Sequence, residues 1–243
     1  MKKKIVILGS TGSIGKNLIN ILKKDRANIE LSLISGNKNI KELLKQIKLF
    51  KVKNVIVTNF KSYIDLKKIL NKKKNIRIFN NFDSINKIFT KKKIDYTMSA
   101  ISGIAGLNPT LKIIKFTKRI AIANKESIIC GWSLLEKELS KNKTKFIPVD
   151  SEHYSIYSLI GGLKNDNIEK VYITASGGPF NSYPLIKFKS ITLKSALKHP
   201  NWRMGKKITI DSATMMNKVF EIIEAKKIFN LNYNNLKILV HPK

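Results

Sequence analysis

A short apolar run that leads directly into a glycine-rich loop, near the start of the chain, constrains the fold more than any other feature. Residues Ile5–Leu8 predict a buried β-strand, and the loop that follows, from Gly9 to Gly15, has the spacing GxxGxxG. The next stretch, Ile14–Lys24, has the apolar spacing of an amphipathic helix. A strand, a tight glycine turn and a helix in this order are typical of the first unit of a parallel α/β sheet.

The same alternation of short apolar runs and helical patterns continues through the first 150 residues. Helical patterns such as Ile40–Leu49 lie between most of the runs. The remaining candidate strands are Leu31–Ser35, Asn54–Thr58, Ile76–Phe79, Tyr96–Ser99, Ile120–Ala123 and Phe146–Val149. We therefore predict an α/β fold whose first domain, residues 1–149, is a Rossmann-like parallel sheet with helices on both faces.

The composition changes after Val149, where glycine and proline become denser in pairs such as Gly177-Gly178. Candidate strands are Val171–Ala175, Ile208–Ile210 and Ile238–Val240, and a helix is predicted over Met215–Phe229. We predict a second, α+β domain over residues 150–243 that carries functional loops. Because no closing element follows the last strand, we expect this domain to be incomplete and the chain to be shortened.

The glycine loop predicts a nucleotide site, because glycines allow a pyrophosphate to approach the backbone and the helix N-terminus supplies free N–H groups. The end of the second strand distinguishes NAD from NADP, since an acidic residue there would bind the ribose 2′-hydroxyl. This segment reads Ser35-Gly36-Asn37-Lys38-Asn39, with a lysine and no acid. The sequence therefore favours NADP, although Lys38 is also one of many lysines.

Charge and cysteine content limit the other classes of function. The net charge is +31, yet only four of the 47 basic residues are arginines, and no basic stripe is interleaved with aromatic residues. We therefore interpret the lysines as a solvated surface and expect neither nucleic acid nor membrane as a partner. The single cysteine, Cys130, excludes an intramolecular disulfide, fits the cytoplasm and is expected to be a buried thiol.

Two acidic residues follow a predicted strand at Asp150 and Glu152, where an extended chain would direct both carboxylates to the same side. Such oxygen ligands suit Mg²⁺ or Mn²⁺, but Asp150 could equally be the N-cap of the next helix. Far along the chain, Asn217, Lys218 and Glu221 share one broad face of the last predicted helix. We expect Glu221 to complete a metal site with the acidic pair, and Met215 and Met216 to pack in the core.

Six segments, in order and in spacing, resemble 1-deoxy-D-xylulose 5-phosphate reductoisomerases, and the resemblance covers the whole chain. They are Gly9–Gly15, Ala123-Asn124-Lys125-Glu126-Ser127, Pro148-Val149-Asp150-Ser151-Glu152-His153, Ser176-Gly177-Gly178-Pro179-Phe180, His199-Pro200-Asn201-Trp202-Arg203-Met204-Gly205 and Asp211–Lys218. In this family the chain continues beyond a His-Pro-Gln-Ser motif, which here reads His241-Pro242-Lys243. From this departure we expect the rest of the catalytic domain and a C-terminal helical domain to be absent from this chain.

The resemblance implies a role for each matching position. NADPH contacts are implied for Thr11, Gly12, Ser13, Ile14, Gly36, Lys38, Asn39, Asn124, Glu126 and Gly205. Asp150, Glu152 and Glu221 would hold the metal ion, and together with Lys125 and His199 they would form the catalytic group. Substrate contacts are implied for Lys125, Ser151, Glu152, Ser176, His199, Trp202, Ser212, Asn217, Lys218 and Glu221. The segment from His199 to Gly205 resembles a mobile flap with Trp202 as its cover.

The activity implied by the resemblance is the NADPH- and metal-dependent rearrangement and reduction of 1-deoxy-D-xylulose 5-phosphate to 2-C-methyl-D-erythritol 4-phosphate, in non-mevalonate isoprenoid synthesis. A homodimer is expected for the full-length protein. Three alternatives stay open from the residues alone: an inactive fragment of this enzyme, another NADP-dependent oxidoreductase, and a basic nucleic-acid-binding protein. A semialdehyde dehydrogenase would need a nucleophilic cysteine in the second domain, and the chain has only Cys130.

Overall fold

The computed structural model describes residues 2–73, 75–91, 94–161, 167–198 and 205–241. The chain divides into two units, residues 1–149 and 150–243. Each unit has its own hydrophobic core, formed by residues from segments that are far apart within that unit's sequence.

Seven parallel strands form the sheet of the first unit, as predicted. In chain order they are β1 (Lys3–Leu8), β2 (Ile29–Gly36), β3 (Asn54–Val57), β4 (Arg77–Phe79), β5 (Ile94–Ser99), β6 (Thr117–Ile122) and β7 (Lys145–Pro148). Their spatial order is β4-β3-β2-β1-β5-β6-β7. The order reverses beside β1, and in open parallel sheets ligands bind at the carboxyl ends of the strands at such a reversal.

Six α-helices lie among the described residues of the first unit, and they cover a sheet whose central strands are buried on both faces. They are α1 (Ser13–Leu22), α2 (Ile40–Phe50), α3 (Phe60–Ile69), α4 (Ile85–Ile88), α5 (Leu107–Ile114) and α6 (Lys125–Lys141). Helix α1 buries Ile19 and Leu22 at helical spacing. Helix α2 buries Leu43, Gln46 and Ile47, and the side chain of Asn39 caps its first turn. These apolar faces form the core that fixes the loops at the strand ends.

The glycine loop is packed so closely that two of its glycines have no room for a side chain. A Cβ on Gly15 would lie 2.4 Å from the carbonyl oxygen of Gly9, and a Cβ on Gly9 would lie 2.6 Å from that of Ala100. Gly9 also has φ +82°, in the left-handed region that favours glycine. The loop therefore holds the start of α1 directly against the ends of β1 and β5.

The second unit contains four helices and one pair of parallel strands among its described residues. They are α7 (Ser151–Leu159), β8 (Val171–Ala175), α8 (Leu193–Ala196), α9 (Lys206–Ala213), α10 (Met216–Phe229) and β9 (Leu236–Val240). Its core joins α7, β8 and α10 through Ile156, Ile173 and Ala225. No helix in the described part of the chain is long and apolar enough to cross a membrane.

The predicted strand Ile208–Ile210 is wrong, because these residues lie in α9. The alternating Ile-Thr-Ile pattern resembles a strand, but Thr209 and Ala213, four residues apart, are the buried positions, which is helical spacing. The Thr209 hydroxyl donates a hydrogen bond to the Gly205 carbonyl one turn earlier. Helix α10 therefore follows another helix and not a strand end.

Two predictions about buried sulfur residues are also wrong. Cys130 is exposed on α6, although an isolated cysteine in an apolar stretch is most often buried. Met216 is 40% exposed at the first position of α10, so it does not pack in the core, and Met215 is only partly buried. In both cases, the helical register places the side chain away from the core.

We expect Gly15→Ala to lower the free energy of unfolding by about 1–3 kcal/mol, because the added Cβ would force backbone atoms of the loop apart. Gly12→Ala is the matched control in the same loop, since a Cβ there would meet the nearest atom at 3.4 Å, an ordinary contact. Urea unfolding of both variants measures the difference. Equal losses for both variants would contradict the close approach at Gly15.

Candidate functional site

A cleft of about 510 Å³ in the second unit collects most of the residues for which a substrate or metal role was predicted. It is formed at the N-terminal ends of α7 and α10, the C-terminal part of α9 and the carboxyl end of β8. The predicted residues that line it are Asp150, Ser151, Glu152, Ser176, Ser212, Asn217, Lys218 and Glu221. The sequence placed these residues in three separate segments, and the fold brings the segments together.

The first part of the site is the N-terminus of α7. Asp150 is the N-cap of this helix, and its side chain accepts a hydrogen bond of 3.1 Å from the backbone N–H of Glu152. The capping role considered from the sequence is therefore present together with the acidic pair. Because the capping hydrogen bond fixes the Asp150 side chain, it also holds the Asp150 carboxylate in the cleft, which Glu152 lines as well.

The third carboxylate comes from α10. Met215, the N-cap of this helix, has φ +61° and ψ +2°, a left-handed conformation that is uncommon for a residue other than glycine. This sharp turn between α9 and α10 sets the direction of the new helix. Glu221, only 1% exposed, then has a carboxylate oxygen that lies within 4.8 Å of ligand oxygens of both Asp150 and Glu152.

The ammonium group of Lys218 lies among these carboxylates. Its Nζ is 3.0 Å from Glu152 Oε1 and 2.5 Å from Glu221 Oε2. Burial of Lys218 acts to lower its pKa, but the hydrogen bonds and charges of Glu221 and Glu152 outweigh burial and raise the pKa above its ordinary value of 10.5. Lys218 is therefore a cation at neutral pH and partly balances the acidic cluster.

Two further polar side chains support the cluster. Asn217 donates a hydrogen bond from Nδ2 to Glu221 Oε1. His153, 1% exposed, has Nε2 2.9 Å from the backbone oxygen of Glu221 and Nδ1 3.5 Å from Asp150 Oδ1. His153 belongs to one of the motifs that resemble the family, but the sequence predicted no role for it. Its position three residues after Asp150, on the inner face of α7, was the signal that helical spacing offered.

The loop after β8 approaches α9 through two consecutive glycines. Gly177 and Gly178 have φ +81° and +68°, and a Cβ on Gly178 would lie 2.8 Å from the carbonyl oxygen of Ser212. This close approach explains how Ser176 and Ser212, which are 36 residues apart in the sequence, line one cleft. With Asn217 and Lys218 they give two hydroxyls, an amide and an ammonium, which suit a phosphate group.

The predicted nucleotide site lies in the first unit, at the carboxyl ends of the strands. Gly12 is the N-cap of α1, and Ser13 begins the helix, so Thr11, Gly12, Ser13 and Ile14 form the helix N-terminus as the motif required. Lys38 is exposed just after β2. Asn39 is exposed as well, but its side-chain oxygen already accepts the N–H of Glu42.

Asn124, one of the predicted cofactor contacts, joins two segments of the backbone. It is 3% exposed, its Nδ2 donates hydrogen bonds to the carbonyls of Ile101 and Gly103, and its Oδ1 accepts from the Ser127 N–H. The side chain thus fastens the loop after β5 to the start of α6. Lys125 and Glu126, in the first turn of α6, are half-buried.

The other predicted residues are Gly36, the last residue of β2, and three residues of the flap segment. His199 and Trp202 lie outside the described residues. Gly205 is described, and it is the N-cap of α9 with an extended backbone.

The donor set of the acidic cluster fits a hard divalent cation. Three carboxylates within 4.8 Å of one another supply oxygen ligands, which Mg²⁺ and Mn²⁺ prefer, and the cleft beside them leaves space for substrate oxygens. Asp150 and Glu152 are half-buried while Glu221 is buried, so the cation would be reached from the cleft. Asp150, Glu152 and Glu221 are the residues that would hold it.

Comparison with known proteins gives one consistent family. The family model described as 1-deoxy-D-xylulose 5-phosphate reductoisomerase matches residues 5–131. The model of the C-terminal domain of the same family matches residues 146–229. The 1-deoxy-D-xylulose 5-phosphate reductoisomerase of Pelagibacter ubique (strain HTCC1062) is 66% identical over 242 residues, which cover 99% of this chain and 62% of that relative. The Clostridium kluyveri relative of the same name is 43% identical, covering 99% of this chain and 63% of its own length.

Solved structures agree with the sequence comparison. A 1-deoxy-D-xylulose 5-phosphate reductoisomerase from Zymomonas mobilis in complex with NADPH has a TM-score of 0.89 and 34% identity, covering 100% of this chain and 62% of that one. A reductoisomerase in complex with NADPH, fosmidomycin and magnesium has a TM-score of 0.87 and 32% identity, covering 99% of this chain and 61% of that one. This chain thus spans a little over three fifths of the length of its relatives.

We expect Lys218→Met to reduce the free energy of unfolding at neutral pH by on the order of 3 kcal/mol, because it removes the cation that balances Glu221 and Glu152. The raised pKa gives the sign: this stabilisation is present below the pKa of an unfolded lysine and is lost only as pH rises through the higher folded value. Added Mn²⁺ should stabilise Lys218→Met more than the unchanged chain, because the ion replaces the missing charge.

Lys227→Met is the control, since Lys227 lies on the same helix outside the cleft. Thermal unfolding with and without Mn²⁺ gives both quantities. An equal response to Mn²⁺ in all three proteins would contradict a cation site at these carboxylates.

Proposed function

The chain belongs to the 1-deoxy-D-xylulose 5-phosphate reductoisomerase family, and on this premise we propose that it binds NADPH in its first unit and a divalent cation with a sugar phosphate in its second. The proposed reaction is the rearrangement and reduction of 1-deoxy-D-xylulose 5-phosphate to 2-C-methyl-D-erythritol 4-phosphate. The observation that carries the proposal is the cleft that joins three carboxylates to the hydroxyl, amide and ammonium groups suited to a phosphate.

Different residues of the cleft would bind the cation and the phosphate group of the substrate. Asp150, Glu152 and Glu221 would hold Mg²⁺ or Mn²⁺, and Ser176, Ser212, Asn217 and Lys218 would hold the phosphate. When bound, the cation would polarise the substrate oxygens as a Lewis acid, and NADPH would supply the hydride. Holding the phosphate at one end of the cleft orients the carbon skeleton toward the carboxylates, so binding energy remote from the reacting atoms fixes their position.

Lys218 would serve both groups in turn. Its ammonium touches two of the three proposed metal ligands, and a cation at ligand distances of ~2.0–2.6 Å from the same oxygens would repel it. The long lysine side chain allows the ammonium to move along the cleft toward Ser212, where a phosphate would accept its hydrogen bonds. Asn217, which shares the face of α10, would keep Glu221 in place.

NADPH and magnesium are named with solved relatives that match 99–100% of this chain, and this supports the same cofactors here. We propose the cytoplasm as the compartment, in keeping with a single cysteine, and a homodimer for the full-length protein. Lys125, Ser151, His199 and Trp202 are proposed as further substrate contacts, and Thr11, Gly12, Ser13, Ile14, Gly36, Lys38, Asn39, Asn124, Glu126 and Gly205 as NADPH contacts.

Two measurements test the proposal. Titration of the chain with NADPH and with Mn²⁺ measures binding, and the decrease of NADPH absorbance after addition of 1-deoxy-D-xylulose 5-phosphate measures turnover. Glu221→Gln should weaken Mn²⁺ binding at least tenfold and abolish turnover while leaving NADPH affinity unchanged, because one charged ligand is lost. Glu224→Gln is the control, since Glu224 is equally buried on α10 but is not part of the acidic cluster. If Glu221→Gln binds Mn²⁺ as tightly as the unchanged chain, the metal assignment fails.

Selectivity for the cofactor gives a separate test of the segment after β2. NADPH should bind more tightly than NADH, and Lys38→Asp should reduce this preference by roughly tenfold, because an ammonium near the 2′-phosphate becomes a carboxylate. Lys41→Asp makes the same charge change at another exposed lysine, the second residue of α2. Fluorescence titration with both nucleotides is the measurement, and an equal effect of both substitutions would show that only overall charge matters.

A further inference from the structure

The first two residues of the glycine loop are held by the second strand. The N–H of Gly9 donates to Ser35 Oγ at 2.9 Å, and the N–H of Ser10 donates to the Ser35 carbonyl at 2.8 Å. The Ser10 hydroxyl donates to the same carbonyl at 3.2 Å. These amides are therefore engaged within the protein, and the donors that a pyrophosphate could use begin at Thr11.

One buried side chain holds the next peptide of the loop. Gln46, on α2, is 1% exposed, and its Nε2 donates to the Ser10 carbonyl and to Glu42 Oε1, each at 3.0 Å. Its Oε1 is buried without a hydrogen-bond partner among the described residues. Turning the amide over would place that oxygen against two acceptors, so the two bonds fix its orientation. An unpaired buried oxygen lowers the free energy of unfolding. A methionine or leucine at position 46 would avoid this cost but would lack the donor.

The peptide between Ser10 and Thr11 links Gln46 to the nucleotide. In a trans peptide, the C=O and the following N–H point in opposite directions, and the described chain contains no cis peptide. Because Gln46 draws the Ser10 carbonyl toward α2, the Thr11 N–H points away from α2. Thr11 is the first residue for which a contact with the cofactor pyrophosphate is proposed.

We propose that Gln46 is a positioning residue for the cofactor: it sets the direction of the Ser10–Thr11 peptide so that the Thr11 N–H meets the pyrophosphate of NADPH. The inference rests on the proposed function, because it takes NADPH as the ligand of the loop. Gln46 touches the loop backbone and not the nucleotide. Its effect on affinity therefore passes through the peptide that it orients.

The test compares two ligands on Gln46→Met, which keeps the length of the side chain and removes its donor. NADPH contains the pyrophosphate, whereas adenosine 2′-monophosphate has only the adenosine end with its 2′-phosphate. We expect roughly tenfold weaker NADPH binding, by fluorescence titration, and an affinity for adenosine 2′-monophosphate within twofold of the unchanged chain, by competition. Gln46→Glu, which has the same shape and no N–H donor, is the second variant if Gln46→Met does not fold.

Asn54→Leu is the matched control. Asn54 is also a buried amide of the first unit, donating to the Ser32 carbonyl at 2.8 Å, but it lies at the amino end of β3, away from the loop. It should lower the thermal stability and leave NADPH affinity unchanged. Unchanged NADPH affinity in Gln46→Met would overturn the proposal, and so would equal weakening of both ligands, which would mean that Gln46 only supports α2. If the unchanged chain fails to bind NADPH, the proposed function itself fails, and this inference fails with it.

Discussion

Four charged side chains from the N-terminal parts of two helices lie close together in the second unit. The residues around them must balance their charges. Asp150, Glu152 and Glu221 bring three negative charges, and Lys218 brings one positive charge. A buried carboxylate without a counter-charge is costly, so Glu221 depends on the ammonium beside it or on a bound cation. Because one lysine does not neutralise three carboxylates, the cluster retains a net attraction for positive ions.

The backbone of the first unit meets a different constraint, which is steric. The glycine loop touches the ends of β1 and β5 at distances that exclude a side chain at Gly9 and Gly15. The same closeness places the N-terminus of α1 at the carboxyl ends of β1 and β5. The Ser35 hydroxyl then accepts a hydrogen bond from the Gly9 N–H, and Gln46 donates one to the Ser10 carbonyl, so individual peptides of the loop are fixed in place. Steric packing thus sets the position of the loop, and hydrogen bonds set the orientation of individual peptides within it.

Much of this arrangement was predictable because it depends on local patterns. The strands of the parallel sheet are apolar runs, and the glycine loop follows the first of them, so the fold class was confirmed. Ile208–Ile210 was mistaken for a strand because three residues do not reveal whether burial repeats every two or every four positions. The contacts of Lys218 and His153 depend on residues 66 and 68 positions away, and spacing along the chain does not show such contacts. The buried amide of Gln46 is likewise visible only once α2 lies on the loop.

Asp150 combines two features at one position, since it caps α7 and is one of the three carboxylates of the acidic cluster. Selection for the helix alone would accept aspartate, asparagine or serine, which cap almost equally well. Selection for a cation ligand alone would accept aspartate or the longer glutamate. Aspartate is the residue that satisfies both requirements. Few substitutions at this position would therefore keep both the cap and the carboxylate ligand. The neighbouring Tyr154 is 53% exposed and does not line the cleft, so sequence variation within the first turn of α7 should fall on this position and not on Asp150.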